Sequence, residues 1–438
     1  MKNRNNPYKA CDWDGPSIGI LWDQSLVWGL LCTRTLTLLG VPFRLISASE
    51  AASGCLDAFR ILLVPGGWAA HKLRALGESG RREIARFIEE GGTYIGFCGG
   101  AGLALSSPPA LYLTPVERMP LAERLPSASG QVLVSGDPSH PAWKDIPSEI
   151  PVSVWWPSQF EWRADCAVTP VASYTAPGAD FQVADLRVSD LDANASWQEL
   201  EKAYKINLDP ARIKGHPAII EVPKGKGRLV LSYAHLETPG DEWGNRLLVN
   251  ILSYLDGESA SSGRKHGEHS ACAASEFPDE KTWSCLSRAG EAASELIDFG
   301  EANLLWNWRK PWLLNWRRGI RGLECGTLAV TIREMAELRD RFKSGKGPAG
   351  RWPQRAAKLE ETVVEFCALA KRLLLEEKIA SQTAILSKLG KVNDRVDDLR
   401  GTLFGNRMNH GGLCRALFDQ VDVMLLDLMR LGEVNSEL

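Results

Sequence analysis

The chain has 438 residues, 44% of them hydrophobic and 24% charged, with a net charge of -3 at neutral pH. This describes an ordinary globular protein of two or three domains, and the charge excludes a general attraction to nucleic acid or to an anionic membrane surface. Ten cysteines without a Cys-x-x-Cys pair point to reduced, cytoplasmic thiols rather than a disulfide frame or a zinc module.

The polar start Met1–Pro7 leads to no apolar stretch, so no secretory signal is expected. The longest apolar candidate for a span, Ile18 to Val41, is broken by Asp23, Gln24 and Arg34, and no membrane partner is expected. Strand and helix signals then alternate. Ser17–Trp22 reads as a buried strand. Ser25–Leu39 has helical length and a C-cap in Gly40. Pro42–Ile46 and Arg60–Val64 read as further strands, the latter stopped by Pro65-Gly66-Gly67. Ser79–Glu90 is an amphipathic helix ended by Gly91-Gly92, and Tyr94–Phe97 is a fourth strand. This rhythm predicts an α/β fold with an open, mostly parallel sheet flanked by helices.

From about 130 to 235 strands dominate: Gln131–Val134, Val152–Trp156, Ala167–Tyr174, Ala218–Val222 and Arg228–Tyr233, with a polar excursion from Asp185 to Ile213. A helix from Asn245 to Leu255 closes the domain, giving boundaries of 1–256. Residues 257–280, rich in Ser, Gly, His and Glu, read as a linker. Residues 281–438 read as an all-α helical bundle, with a helix over Trp283–Asn307. Its further helices carry apolar stripes such as Leu323/Leu328/Ile332/Met335, Leu359/Val363/Phe366/Ala370, Leu389/Val392/Val396/Leu399 and Leu413/Leu417/Val421/Met424.

The chemistry concentrates at Gly96-Phe97-Cys98-Gly99-Gly100. A thiol crowded by small residues between a strand and a helix start is what a nucleophile on a sharp turn requires. The plain alternative is a buried cysteine before a glycine loop. A thiol nucleophile needs a base, and the base an orienting group. Of seven histidines, His235 follows the strand Leu229–Tyr233, and Glu237 stands two residues on, on the same side of an extended segment. Both this strand end and the Cys98 turn lie at the edge where parallel sheets gather their sites. Gly66 and Gly67, after a third strand, offer backbone amides that with those of Gly99 and Gly100 suit an oxyanion.

Taken in order, Pro65-Gly66-Gly67, Gly96-Phe97-Cys98-Gly99-Gly100 and His235-Leu236-Glu237 resemble the class I glutamine amidotransferase superfamily over roughly residues 15–255. Within it the chain is most similar to the N-terminal domain of large biotin–protein ligases, which also shows a strand like Val154-Trp155-Trp156-Pro157-Ser158. The resemblance implies that Cys98 is nucleophile, His235 base and Glu237 its orienter, with Gly67 and Gly99 as oxyanion donors. It also implies a small-molecule or peptide amide substrate and no cofactor. Two positions depart from the pattern: Gly102 stands where glutamine-using members carry a longer side chain, and Leu236 replaces the usual proline. No loop of the biotin-ligase catalytic half is seen in the sequence, so ammonia made here would need an acceptor on another protein.

The function expected is thus a cysteine-dependent amidotransferase- or hydrolase-like one. The alternative is a binding or regulatory module that keeps the fold, with the helical half as a docking or self-association domain. Trp306, Trp308, Trp312 and Trp316 interleaved with Arg309, Lys310, Arg317, Arg318 and Arg321 read first as inter-domain packing, then as a protein contact, and last as a nucleic-acid or membrane contact. His266, His269 and Cys272 have ligand-like spacing but no fourth ligand nearby, and no metal is expected. Trp155, Trp156, Phe160 and Trp162 are expected in the core or a pocket wall, and Asp23 and Gln24 facing the same pocket.

Overall fold

Runs of four apolar residues ending at turn residues form the centre of the N-terminal half. The structure, a computed structural model, describes residues 17–192, 195–261, 276–342, 348–383, 386, 390–405 and 411–436. The chain divides into two units, 1–269 and 270–438.

In the first unit, β1 (Ile18–Leu21), α1 (Val27–Leu39), β2 (Phe43–Ile46), α2 (Ala48–Ala52), β3 (Ile61–Val64), α3 (Ala69–Glu89), β4 (Thr93–Phe97) and α4 (Gly99–Ala104) alternate. There follow β5 (Glu117–Arg118), β6 (Ala128–Ser135), β7 (Glu149–Trp155), β8 (Phe160–Glu161), β9 (Thr169–Pro177), β10 (Gln182–Val183), β11 (Leu186–Arg187) and α5 (Trp197–Tyr204). Then come β12 (Pro217–Lys224), β13 (Gly227–Ser232) and α6 (Glu242–Ser261). Strands β1, β3 and β4 are buried throughout, as strands covered on both faces must be.

An 11-stranded sheet runs β11-β10-β6-β9-β12-β13-β4-β3-β1-β2, with β7 pairing β6. The five strands β2-β1-β3-β4-β13 are parallel, and β12, β9, β6, β7, β10 and β11 add an antiparallel half. The doubly wound parallel half places the C-terminal ends of β1, β3, β4 and β13 together, the edge where such sheets bind ligands.

Local chemistry explains the boundaries. Gly40 takes the left-handed conformation (φ 70°) that ends α1. Ser47 and Glu50 form a capping box on α2. Helix α3 begins ten residues earlier than the amphipathic pattern suggests, at Ala69, and breaks its dihedrals at Gly77 (φ 59°). The excursion around Asp185–Ile213 holds β11 and α5.

The second unit contains α7 (Glu280–Ala302), β14 (Trp306–Lys310), β15 (Leu313–Trp316), α8 (Leu323–Glu337), α9 (Trp352–Ala380), α10 (Asp394–Phe404) and α11 (Gly412–Ser436). It is helical with one inserted hairpin. The helix expected over Trp283–Asn307 stops at Ala302: the Asn303 side-chain amide donates to the Phe299 carbonyl (2.8 Å) and Leu304 turns to φ 56°. Trp306 then buries its ring against Gly300 and donates from Nε1 to the Arg321 carbonyl (3.1 Å). Helix α6 runs on to Ser261, into the stretch read as linker. His266, His269, Cys272 and Leu389 lie outside the described residues. No group of three potential metal ligands occurs among the described residues, and no helix among them is long and apolar enough to cross a membrane.

Candidate active site

Cys98 stands between β4 and α4 with φ 47° and ψ -105°. That is a costly backbone for any residue with a Cβ. Glycines around it let three chain segments touch. A Cβ on Gly99 would fall on the Gly67 carbonyl oxygen, one on Gly100 would fall on the Val64 carbonyl oxygen, and one on Gly96 would meet the Gly100 carbonyl oxygen at 2.7 Å. Gly67 itself has φ 109°, and a Cβ there would strike the Gln24 carbonyl oxygen. The loops after β1 and β3 and the turn after β4 therefore pack backbone to backbone. The Cys98 amide is tied to the Ser232 carbonyl of β13 (2.7 Å), and its Sγ faces the Trp155 carbonyl oxygen at 3.8 Å.

The second half of the site comes from the end of β13. The His235 amide donates to the Ser153 carbonyl (2.8 Å), and Val154 bridges Ala234. Thr35 Oγ1 of α1 donates to the Glu237 carbonyl (2.8 Å), while Asn245 Nδ2 of α6 donates to the carbonyls of Leu236 (2.8 Å) and Thr238 (3.0 Å). The segment is not the extended run expected but a turn, closed by the Thr238 amide on the His235 carbonyl (3.1 Å); in it His235 Nδ1 and Glu237 Oε1 are 2.7 Å apart, and both residues are 0% exposed. Trp155 stacks on the imidazole (5.3 Å between centroids), with Trp28 on it at 4.9 Å.

Burial by itself lowers the imidazole pKa. The Glu237 charge, interactions with the Cys98 thiol and the Glu237 hydrogen bond outweigh it, raising His235 from 6.5 to about 10. His235 thus feels Glu237 on one side and the Cys98 thiol on the other, and its Nε2 makes no hydrogen bond among the described residues.

Cys98, His235, Glu237, Gly66, Gly67, Gly99 and Gly100 all lie at the C-terminal edge of the parallel strands. Other histidines have different surroundings. His140 Nδ1 accepts from the Ala142 amide (3.2 Å), and its Nε2 lies 3.7 Å from Glu221. Asp23, expected to face the pocket, instead accepts from the Ala48 amide (2.6 Å) and so caps α2, because the chain turns away after β1. Phe160 and Trp162 belong to the apolar core beside the sheet. Two residues escaped the sequence reading. Trp28 covers Gly66 as well as His235. Lys72, 0% exposed, donates to the Asp23 carbonyl (3.0 Å) and to Ser25 Oγ. Only the tertiary fold brings these two to the site.

The first unit is thus an α/β fold with an open, mostly parallel sheet and a cysteine turn at the C-terminal end of β4. The pattern of the family described as "Biotin-protein ligase, N terminal" matches residues 56–107, the stretch holding both the 65–68 loop and Cys98. Among solved structures, a GMP synthase-like protein from Thermoplasma acidophilum is 15% identical, covering 57% of this chain and 98% of its own (TM-score 0.37). A ThuA-like protein from Bacteroides uniformis is 14% identical, covering 57% and 95% (TM-score 0.34). A glutamine amidotransferase from Thermotoga maritima is 12% identical, covering 58% and 93% (TM-score 0.30). No curated protein matches the chain.

Proposed function

We propose that the first unit is a cysteine-dependent amidase or amidotransferase-like enzyme. The observation that carries this reading is the fully buried His235–Glu237 pair at the strand end next to the strained Cys98 turn. Cys98 Sγ attacks an acyl carbon as a thiolate, its proton already resting on His235, and Glu237 stabilises that imidazolium. The amides of Gly67 and Gly99 receive the developing oxyanion. Collapse breaks the carbon–nitrogen bond, and His235 returns its proton to the leaving amine. Water, deprotonated by His235, then cleaves the thioester to an acid and the free thiol. Ammonia or acid release from a panel of primary amides, glutamine included, tests this. Product formation lost in Cys98→Ser supports the reading, and equal rates in both proteins refute it.

One observation favours a second reading. The space beside Gly102 is open, with nothing within 4 Å of a Cβ built there, where glutamine-using relatives place a side chain. A binding module without turnover would protect Cys98 from alkylation by a bound amide yet release no product. For the helical unit, we propose a docking or self-association role. Val364, Leu375 and Ile379 share one face of α9, and they are 47%, 47% and 58% exposed. Light scattering of the full chain, beside a variant with all three changed to Ser, tests self-association: a mass of one chain in both rules it out.

A further inference from the structure

Lys72 is a charged side chain that the mechanism above does not use, and it is 0% exposed. It lies in the first turn of α3, where its amide donates to the Trp68 carbonyl (3.1 Å). The helix therefore holds it close to the Gly66-Gly67 loop. Its ammonium crosses to the loop after β1, donating to the Asp23 carbonyl (3.0 Å) and to Ser25 Oγ. Ser25 is also 0% exposed, and its hydroxyl donates to the Leu21 carbonyl at the end of β1 (3.0 Å). An ammonium taken out of water needs oxygens in place of its hydration shell, so these contacts are costly to release.

The two contacts straddle Gln24. Gln24 and Leu26 have φ of 58° and 50°, and neither is glycine, so this loop holds backbone strain that it would shed if freed. The Gln24 carbonyl oxygen fills the place that a Cβ on Gly67 would take, and Lys72 Cε lies 3.5 Å from the same point. The Gly67 carbonyl oxygen in turn fills the place of a Cβ on Gly99, with the Gly67 nitrogen 3.2 Å from it. Contact therefore runs unbroken from Lys72 through the Asp23–Ser25 loop to Gly67 and the turn that carries Cys98.

We propose that Lys72 is a positioning residue for acyl transfer: by gripping Asp23 and Ser25 it presses the strained Gln24 carbonyl against Gly67 and fixes the direction of the Gly67 amide. This rests on Cys98 being the nucleophile and on Gly67 as an oxyanion donor. Hydrogen bonds are steep in distance and angle, so an amide displaced by about 1 Å loses most of its hold on an oxyanion. The effect of the lysine is confined to steps in which a negative oxygen develops.

Acylation and alkylation of the same thiol separate this role from a merely structural one. With p-nitrophenyl acetate a carbon–sulfur bond forms and the carbonyl oxygen takes the negative charge. The carbon–oxygen bond then breaks and releases nitrophenolate. Iodoacetamide is displaced at a saturated carbon and develops no oxyanion. Acylation is read on the full chain as nitrophenolate release above that of Cys98→Ala, and alkylation by peptide mass spectrometry at Cys98. In Lys72→Met acylation is expected to fall by about 10²-fold while alkylation is unchanged. Ser25→Ala keeps the charge and removes one anchor, and is expected to show the same selective loss to a smaller degree. Where Lys72→Met does not fold, Ser25→Ala decides alone. Equal falls in both rates, or no fall in acylation, overturn the positioning role and leave the nucleophile standing. An unaltered protein that is alkylated but never acylated at Cys98 has no oxyanion site to position and overturns it too. A Cys98 that neither reagent modifies removes the nucleophile and this proposal together.

Discussion

His235 Nδ1 lies 2.7 Å from Glu237 Oε1, and neither residue is exposed to water. A carboxylate placed there without a partner would carry a heavy desolvation cost. The imidazole therefore holds its proton further into alkaline pH than a free histidine, with its pKa raised to about 10.

The sign of the pH dependence follows. A histidine raised on folding contributes stability that is fully present below 6.5 and is lost as pH rises through about 10. Between these values the folded chain holds a proton that the unfolded chain has released. Chemical denaturation is expected to show stability falling across this window, by up to about 1.4 kcal/mol per pH unit from this group. Glu237→Gln is expected to flatten that slope.

The glycines of the turn are not equivalent. Gly99→Ala and Gly100→Ala would drive a methyl group into backbone carbonyl oxygens, and each is expected to cost about 1–3 kcal/mol or more. Gly102→Ala meets nothing within 4 Å inside α4. It is expected to stabilise by about 0.5–1 kcal/mol through helix propensity. Thermal melts of the three variants check the contrast.

Cys98 pays for its position with backbone strain, at φ 47° and ψ -105°. Cys98→Gly is expected to raise stability by about 1 kcal/mol, because glycine tolerates positive φ, while abolishing any thiol-dependent turnover. Cys98→Ala keeps the strain and is expected to melt close to the unaltered protein.

In the helical unit, Glu377 is fully buried and Arg400 Nε donates to its Oε1 at 2.8 Å. Burial raises Glu377 to about 6 against the pull of Arg400. Its contribution is greatest below about 4.5 and is lost as pH rises through about 6. Arg400→Met would leave this carboxylate without its main partner and is expected to cost about 3–5 kcal/mol at neutral pH, with a smaller loss at pH 5. Denaturant titration at the two pH values measures it.

Much of the site was legible in the sequence because it is written in local constraints. Gly96, Gly99 and Gly100 mark a turn where three backbones touch, and His235 and Glu237 do meet, although a turn closed by Thr238 on His235 brings them together rather than the period of two of an extended segment. Trp28 and Lys72 were not legible as site residues, since only strand order and loop packing bring them there. The start of α3 was missed because Trp68 gives no side-chain cap and Gly77 interrupts the periodicity. The hairpin at Trp306–Trp316 had a signal, Trp306 and Trp308 two residues apart just before Pro311. The strong helical pattern running up to it masked that alternation.

The most direct test is the rate at which iodoacetamide labels each cysteine of the full chain, with and without His235→Ala. Among the described cysteines, Cys98 and Cys166 are not fully buried. The account requires Cys98 to react well ahead of Cys166 and to slow by about 10²-fold when the imidazole is removed. A Cys98 that reacts no faster than Cys166, and at the same rate in His235→Ala, would contradict it.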